Sequence, residues 1–256
     1  MKHKRGFWLL MLAGWCFASQ LSAAELAGSL AWGERISMGS LVSGVVAKVP
    51  VQAGQRVKKG DLLVGLDVRG FQAEVNGARA ESARARVLLE EARLEDERAT
   101  ELYDRTVLSE HERAKAVIGL REAEAEAGRA GARLTQARLA YERSQLKAPF
   151  DGRVVAVHVS AGQAVVNEYK AEPMVELAGD SRMLLRTHAE LAVARQAKGA
   201  KPMVEVAGRQ IAVDAVQIGF EPVDAAAPGP VYPVTAIFTR PGDLELRAGE
   251  PARLVW

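Results

Sequence analysis

One stretch, residues 69–147, constrains the fold of this chain more than any other. It is rich in Ala, Glu and Arg, contains no Pro and has little Gly. Small or apolar residues recur alternately three and four positions apart along it, first at Val75, Ala78, Ser82, Ala85, Leu89 and Ala92, then at Leu120, Ala123, Ala127, Ala130, Leu134, Ala137 and Tyr141. Such a repeat places these positions on one seam of a helix, which is typical of a coiled coil. The pattern predicts an antiparallel α-helical hairpin over residues 69–146.

The turn of this hairpin is expected near residues 106–109, at the midpoint of the stretch. Ser109 is followed three residues later by Glu112, which is the spacing of a capping box and predicts that the second helix begins at Ser109. Each arm then has about 35 residues and a length of roughly 50–55 Å. Neighbouring charges on the outer faces predict i,i+4 ion pairs that keep the exposed rod soluble. These pairs are Glu101/Arg105, Arg86/Glu90, Arg93/Glu97 and Arg138/Glu142.

The segments on either side of the hairpin form two matching halves. Residues 43–57 read SGVVAKVPVQAGQRV and residues 151–165 read DGRVVAVHVSAGQAV. Short apolar runs punctuated by turn residues such as Gly54 and Gly60 predict a small β sandwich. We therefore expect one β domain made of residues 25–68 and 147–179, which closes only when the chain returns from the inserted hairpin. Pairing of the first residues of this range with the domain that follows it is the alternative.

Residues 1–24 have the pattern of a secretory signal peptide. A basic head, Lys2 to Arg5, precedes a short apolar run over residues 6–18 and small residues at Ser22 and Ala24. An uncleaved N-terminal anchor is the alternative. The prediction is a cleavable leader and a periplasmic protein. The chain's single cysteine, Cys16, lies in this leader, so the mature chain is expected to have neither disulfides nor thiolate sites.

Residues 180–256 are predicted to form a small β-barrel domain. Candidate strands include residues 202–206, 210–217, 231–239 and 252–255, with loops marked by Pro and Gly between them. No further stretch is expected to form another domain.

The sequence offers no pattern for catalysis, cofactor binding or metal binding. The net charge of only +2 argues against a nucleic-acid binder. The four His residues lie far apart, without metal-ligand spacing. Nucleophile-elbow, phosphate-loop and dinucleotide-binding glycine motifs are absent from the sequence. We expect a protein that is not an enzyme and has no cofactor.

The predicted tip carries Arg98, Leu102 and Ser109 at the spacing Arg-x3-Leu-x6-Ser. In this respect the chain resembles the periplasmic adaptor proteins, also called membrane fusion proteins and including HlyD and AcrA, of tripartite efflux pumps of the resistance-nodulation-division (RND) type. The resemblance implies that Arg98, Leu102 and Ser109 bind the periplasmic end of a TolC-like outer-membrane channel. An Arg can form forked hydrogen bonds with channel oxygens. Leu102 can fill a groove between channel helices, and Ser109 can cap its helix while it presents a hydroxyl.

The duplicated β halves are similar to the lipoyl/biotinyl domain that these adaptors share with carrier proteins. The family implies an adaptor, associated with the inner membrane through its transporter, that links an RND-type transporter to the channel for export of small molecules. It also implies self-association into a hexamer and, in many members, a membrane-proximal domain that has no counterpart in this sequence. Two alternatives are an adaptor of an ABC-type exporter and a lipoyl or biotinyl carrier. The leader and the missing carrier lysine argue against the carrier.

Overall fold

A computed structural model describes residues 24–167, 172–223 and 229–256 of the chain. The predicted leader, apart from Ala24, lies outside the described residues. Among the helices that are described, none combines the length and apolar character needed to cross a membrane. The chain forms two compact units. One contains Leu30–Leu184 and Thr239–Ala248, and the other contains the remaining described residues, including Leu185–Phe238 and Gly249–Trp256.

Short strands precede the hairpin in the chain. They are β1 (Glu25–Trp32), β2 (Arg35–Met38), β3 (Gly44–Lys48), β4 (Arg56–Val57) and β5 (Leu62–Leu66). Four more strands follow the hairpin in the unit that contains Leu30–Leu184. They are β6 (Gln145–Lys147), β7 (Gly152–Val157), β8 (Ala164–Val165) and β9 (Val175–Gly179). Two four-stranded sheets result, in the orders β2-β9-β7-β4 and β6-β5-β3-β8. Each sheet takes strands from both sides of the hairpin, so the sandwich closes only when the chain returns.

The internal repeat is visible in the hydrogen bonds of the sandwich. The Gly54 N–H donates to the carbonyl of Val154, and the Gly162 N–H donates to the carbonyl of Val46, both over 2.8 Å. Both glycines have positive φ, 87° and 89°, which a residue with a Cβ adopts at a cost. Aliphatic side chains from both halves fill the core between the sheets, among them Val46, Leu63, Val154, Val175 and Leu177.

The inserted hairpin consists of α1 (Arg69–Asp104) and α2 (Glu110–Arg143). All predicted seam positions on both arms are buried or half-buried. At the base, Val75 and Ala78 of α1 pack against Leu134 and Ala137 of α2. The predicted fold class, a lipoyl-like β sandwich interrupted by a long helical hairpin, is confirmed.

The second arm ends earlier than the composition suggested. Instead of continuing toward Lys147, α2 stops at Arg143, and the next residues form β6 against β5. The Ser144 hydroxyl donates to the carbonyl of Tyr141 over 2.6 Å, and the Ser144 carbonyl accepts from the Leu66 N–H over 2.9 Å. The helix therefore ends where the backbone of the following residues begins to hydrogen-bond with β5 of the sandwich.

The predicted surface ion pairs formed in one case of four. Arg105 pairs with Glu101. In the described structure, Arg86, Arg93 and Arg138 make no ion pair with the glutamates four residues further along. The i,i+3 pairs Arg121–Glu124 and Arg129–Glu126 form instead.

The rest of the chain builds a seven-stranded sheet and one short helix. The elements are β10 (Arg182–Glu190), α3 (Leu191–Gly199), β11 (Met203–Val206), β12 (Arg209–Ala212), β13 (Ala215–Ile218), β14 (Val231–Thr239) and β15 (Pro251–Val255). The strand order is β12-β11-β15-β1-β10-β14-β13. Strand β1 pairs antiparallel with β15, in a register that runs from Glu25 opposite Val255 to Ser29 opposite Pro251. The predicted strand over residues 210–217 is two strands, because β12 pairs with β11 while β13 pairs with β14.

Candidate functional site

The tip of the hairpin begins where α1 ends in a Schellman motif. The Val107 N–H donates to the carbonyl of Leu102, and the Thr106 N–H donates to the carbonyl of Tyr103, both over 2.9 Å. Thr106 has φ of 58°, a left-handed conformation that is costly for a β-branched residue. The carbonyls at the end of α1 are therefore satisfied by a tight turn at the expense of backbone strain in Thr106.

The second helix begins with the predicted capping box, which the structure confirms. The Ser109 hydroxyl accepts from the Glu112 N–H over 3.3 Å, and the Glu112 carboxylate accepts from the Ser109 N–H over 3.1 Å. The same carboxylate accepts from the Ser109 hydroxyl over 2.7 Å. These hydrogen bonds from Ser109 hold the pKa of Glu112 below its ordinary value. Only residues 105–109 separate the two helices, so both ends of this turn are fixed by local hydrogen bonds.

A cation–π contact joins the two arms beside the turn. The guanidinium carbon of Arg113 in α2 lies 5.2 Å from the centre of the Tyr103 ring in α1. Both residues continue the three-four spacing of the seam toward the tip. The tip is thus held by one contact between the helices as well as by the caps within them.

A groove of about 710 Å³ lies along one side of the hairpin near its tip. Arg98 and Leu102 of α1 line it, together with Leu108 in the turn and Glu112 in α2. Its floor is made by small residues of the seam, and Gly119 leaves open space on the α2 side. Acidic and basic side chains both border the groove, so it offers an apolar floor with a mixed polar rim.

The structure brings two of the three predicted site residues together. Arg98 and Leu102 share the groove, and the exposed Arg98 guanidinium is only loosely paired, with Nη1 lying 3.8 Å from Glu95 Oε2. Ser109 does not line the groove, and its hydroxyl is engaged by Glu112. The role of all three in partner binding stays a prediction.

Sequence reasoning missed the apolar residues of the turn itself. The side chain of Val107 is 71% exposed at the tip, and Leu108 lines the groove. The available signal was a pair of consecutive aliphatic residues in a predicted exposed turn, where polar residues are the norm.

Acidic and imidazole side chains do not gather as metal ligands in the part of the chain that the structure describes. No group of three or more His, Cys, Asp or Glu side chains there is placed to hold a metal ion. His158 instead lies 3.2 Å from Glu176, which also pairs with Arg35. The hydrogen bond from Arg35, followed by that from His158, lowers the pKa of Glu176.

Comparisons with known proteins agree with this architecture. Residues 36–172, more than half of the chain, match the family model described as the CzcB-like, barrel-sandwich hybrid domain. The chain is 33% identical over 131 residues to the cobalt-zinc-cadmium resistance protein CzcB of Cupriavidus metallidurans, an alignment that covers 49% of this chain and 24% of CzcB. It is 28% identical over 140 residues to the multidrug resistance protein MdtA of Pectobacterium carotovorum, covering 55% of this chain and 34% of MdtA.

These alignments span about a quarter to a third of the length of the two relatives. Among solved structures, the membrane fusion protein Spr0693 from Streptococcus pneumoniae superposes with a TM-score of 0.68. That superposition covers 91% of this chain and 98% of Spr0693 at 17% sequence identity, so it supports the shared fold and nothing finer.

Proposed function

This chain belongs to the family of proteins with a CzcB-like, barrel-sandwich hybrid domain, and from that premise we propose that it is a periplasmic adaptor of a tripartite efflux pump. It links an inner-membrane transporter, of the RND type, to a TolC-like outer-membrane channel. The adaptor reaches the periplasm by a cleavable leader, performs no chemistry of its own and self-associates as a hexamer around the path of the exported small molecule.

The groove at the hairpin tip is the observation that carries this proposal. It places an exposed guanidinium, Arg98, beside an aliphatic side chain, Leu102, over an apolar floor. A helix of a partner can lay a nonpolar stripe on such a floor, which is a common mode of helix recognition. The Arg98 fork can then bind backbone carbonyls or a carboxylate at the rim of the channel.

The mechanism is geometric. The 36 residues of α1 span about 54 Å at 1.5 Å per residue, so the hairpin can carry the tip far from the sandwich. The caps on both sides of the turn keep the tip in one conformation, which lowers the entropy lost when it binds a rigid channel end. In this mechanism, the sandwich and the seven-stranded sheet make the contacts with the transporter.

Site-specific crosslinking in cells tests the proposal. Single cysteines at Arg98, Leu102 and Val107 would be labelled with a photo-crosslinker in cells that express the neighbouring transport genes. Glu142, an exposed residue at the base of α2, serves as the matched control. We expect an outer-membrane channel to be captured from the three tip positions and not from Glu142. Equal capture from all four positions, or from none, would remove the bridging function.

A further inference from the structure

A cavity beside the sandwich carries positive charge that the proposed function does not use. It has a volume of about 450 Å³ and lies within the unit that contains Leu30–Leu184 and Thr239–Ala248. Three parts of this unit line it: the end of β1 with the start of β2, the Gly54 turn with β7, and residues 245–248. The volume falls within the range of about 300–1,000 Å³ that is typical of small-molecule sites.

One part of the lining is apolar. It consists of Trp32, which is half-buried, of Val154 and Val155 in β7, and of the buried residue Leu246. An indole ring is a large, flat surface on which a planar apolar group can stack. The cavity therefore offers the body of a ligand contact with side chains in place of water.

The other part of the lining is basic. Arg35, Arg153 and Arg247 contribute to it, against a single carboxylate, that of Glu245. Arg35 is already engaged, because its Nε and Nη2 both donate to Glu176, which lies outside the lining. Arg247 is exposed, and its side chain forms no ion pair or hydrogen bond with the described residues. Positive charge thus exceeds negative charge around the cavity even when Glu176 is counted.

Arg153 is the arginine best placed to bind an anion. Its Nη1 donates to the carbonyl of Gly54 over 3.0 Å, which holds the guanidinium in position. The Gly54 turn is itself fixed, because the Gly54 N–H donates to the carbonyl of Val154 over 2.8 Å. The Arg153 side chain is only 26% exposed. A guanidinium that is positioned in advance and partly shielded from water binds a carboxylate at a lower entropic cost than a free surface arginine does.

Glu245 shows where the charged group of a ligand can bind. Its Oε1 lies 3.4 Å from Arg153 Nη2, which is longer than an ordinary charge-assisted hydrogen bond. The Glu245 side chain is 73% exposed, so this contact holds it only weakly. A ligand carboxylate can therefore replace that of Glu245 on Arg153 and leave Glu245 in water.

The segment that forms one wall of the cavity is anchored from within. The buried side chain of Arg240 donates from Nη1 to the carbonyl of Leu244 and from Nε to the carbonyl of Asp180, both over 2.9 Å. Its Nη2 also lies 2.7 Å from Asp180 Oδ1. Leu246, two residues beyond Leu244, is buried. The wall formed by residues 245–248 is therefore in place before any ligand binds.

We propose that this cavity binds a small organic anion with a flat apolar body, such as an aromatic carboxylate. The carboxylate binds Arg153 and Arg247, and the aromatic body packs against Trp32. The inference goes beyond the proposed function and does not depend on it, because the cavity lies beside the sandwich and not at the hairpin tip. It adds a small-molecule site to a protein whose proposed mechanism is otherwise geometric.

Isothermal titration calorimetry of the full chain with three probes tests the proposal. Naphthoate carries both features of the proposed ligand, naphthamide has the same flat body without the charge, and acetate has the charge without the body. We expect naphthoate to bind one-to-one and about tenfold more tightly than naphthamide or acetate, because only naphthoate uses both parts of the lining. Absence of naphthoate binding, or equal binding of naphthamide, would overturn the proposal.

Arginine variants test where the ligand binds. We expect Arg153→Gln to weaken naphthoate binding about tenfold and Arg247→Gln about fivefold, since each removes a charged donor. Arg182→Gln is the matched control, because Arg182 is an exposed arginine of the same unit that does not line the cavity. Circular dichroism checks the folding of all three variants. If Arg153→Gln does not fold, Arg247→Gln decides the question, because Arg247 has no side-chain partner to lose. Unchanged binding in the folded variants would overturn the proposal.

Glu245→Gln tests the same site in the opposite direction. It removes the carboxylate that competes for Arg153, so naphthoate binding should become about threefold tighter. Glu172→Gln removes one negative charge at another exposed position of the same unit and should leave the affinity unchanged. Added salt should weaken binding of naphthoate and not of naphthamide. Weaker binding of naphthoate to Glu245→Gln would overturn the placement of the ligand carboxylate on Arg153.

Discussion

Ser109 and Glu112 form reciprocal hydrogen bonds across the first turn of α2. The Ser109 hydroxyl lies 2.7 Å from the Glu112 carboxylate and also accepts the Glu112 N–H over 3.3 Å. This hydroxyl is therefore already engaged by the helix that it starts. A partner that needed the Ser109 hydroxyl would have to compete with the capping box, whereas Leu102 and Arg98 are available without such competition.

The first prediction concerns this cap. Ser109→Ala should lower the free energy of unfolding by about 1 kcal/mol, because the N–H groups at the start of α2 lose an acceptor. Ser109→Asp should retain most of the stability, since aspartate caps equally well. Thermal unfolding followed by circular dichroism measures both. Channel capture from a labelled Leu102 that falls with Ser109→Ala but survives Ser109→Asp would assign Ser109 a capping role; loss in both variants would assign it direct contact.

The second prediction concerns pH at the start of α1. The Asp67 carboxylate accepts hydrogen bonds from the side chain and the backbone N–H of Arg69, and these lower its pKa from 3.8 to about 2. A carboxylate whose pKa is depressed by folding stabilises the folded state fully above its ordinary pKa of 3.8, and this contribution is lost as the pH falls through about 2. The stability difference between wild type and Asp67→Asn should therefore shrink as the pH falls through this window.

Denaturant unfolding at a series of pH values measures that difference. Arg69→Gln provides the matched control, because it removes the side-chain partner and leaves the carboxylate. In this variant the NMR titration midpoint of Asp67 should rise toward its ordinary value. A midpoint that does not move would show that Arg69 is not the cause of the shift.

Much of the fold follows from local patterns in the sequence. The seam of α1 and α2, the capping box at Ser109 and the repeated turns at Gly54 and Gly162 depend on residues close together in the chain. Each is dictated by helix periodicity or by a glycine at positive φ, so each could be predicted without knowing the tertiary contacts. The end of α2 at Arg143 could not, because it depends on pairing of the next residues with a strand more than 70 positions earlier.

The candidate site was predicted less completely than the fold. The recognised seam stopped at Ala92 and resumed at Leu120, since Asp96, Tyr103 and Arg113 do not look like core residues. In the structure the same spacing continues through these positions, which are half-buried between the helices. The left-handed conformation of Thr106 and the groove between the arms also depend on how the two helices meet. Neither the Thr106 conformation nor the groove can be recognised from the amino-acid composition.

The third prediction follows from that polar part of the seam. Asp96 Oδ1 is buried and makes no hydrogen bond within the described structure. Burying an acceptor without a partner costs about 1–3 kcal/mol, so Asp96→Leu should stabilise the hairpin by about 1 kcal/mol. Urea unfolding measures the change. The neighbouring exposed residue Glu97 gives the control, because Glu97→Leu adds the same side chain outside the seam and should not stabilise.

The fourth prediction compares two glycines. A Cβ at Gly152 in β7 would lie 2.3 Å from the carbonyl oxygen of Ala178, so Gly152→Ala should destabilise the sandwich by about 2–3 kcal/mol. At Gly77, inside α1, a Cβ would meet nothing within 4 Å. Gly77→Ala should therefore stabilise the helix by about 1 kcal/mol. Thermal unfolding measures both, and a neutral Gly152→Ala would contradict the close approach of β7 and β9.

The last prediction tests the tip with two matched leucines. Leu102 is 39% exposed and lines the groove, whereas Leu94 is 44% exposed, on the same helix, and lies outside the groove. Leu102→Ala should reduce channel capture from a labelled Val107 about tenfold, because burial of a leucine side chain by a partner contributes on the order of 1.5–3 kcal/mol. Leu94→Ala removes the same atoms and should leave capture unchanged. Both variants should keep the helix content of the wild type, measured by circular dichroism. Equal losses in the two variants would mean that general apolar character of the rod, rather than the groove at its tip, drives the contact.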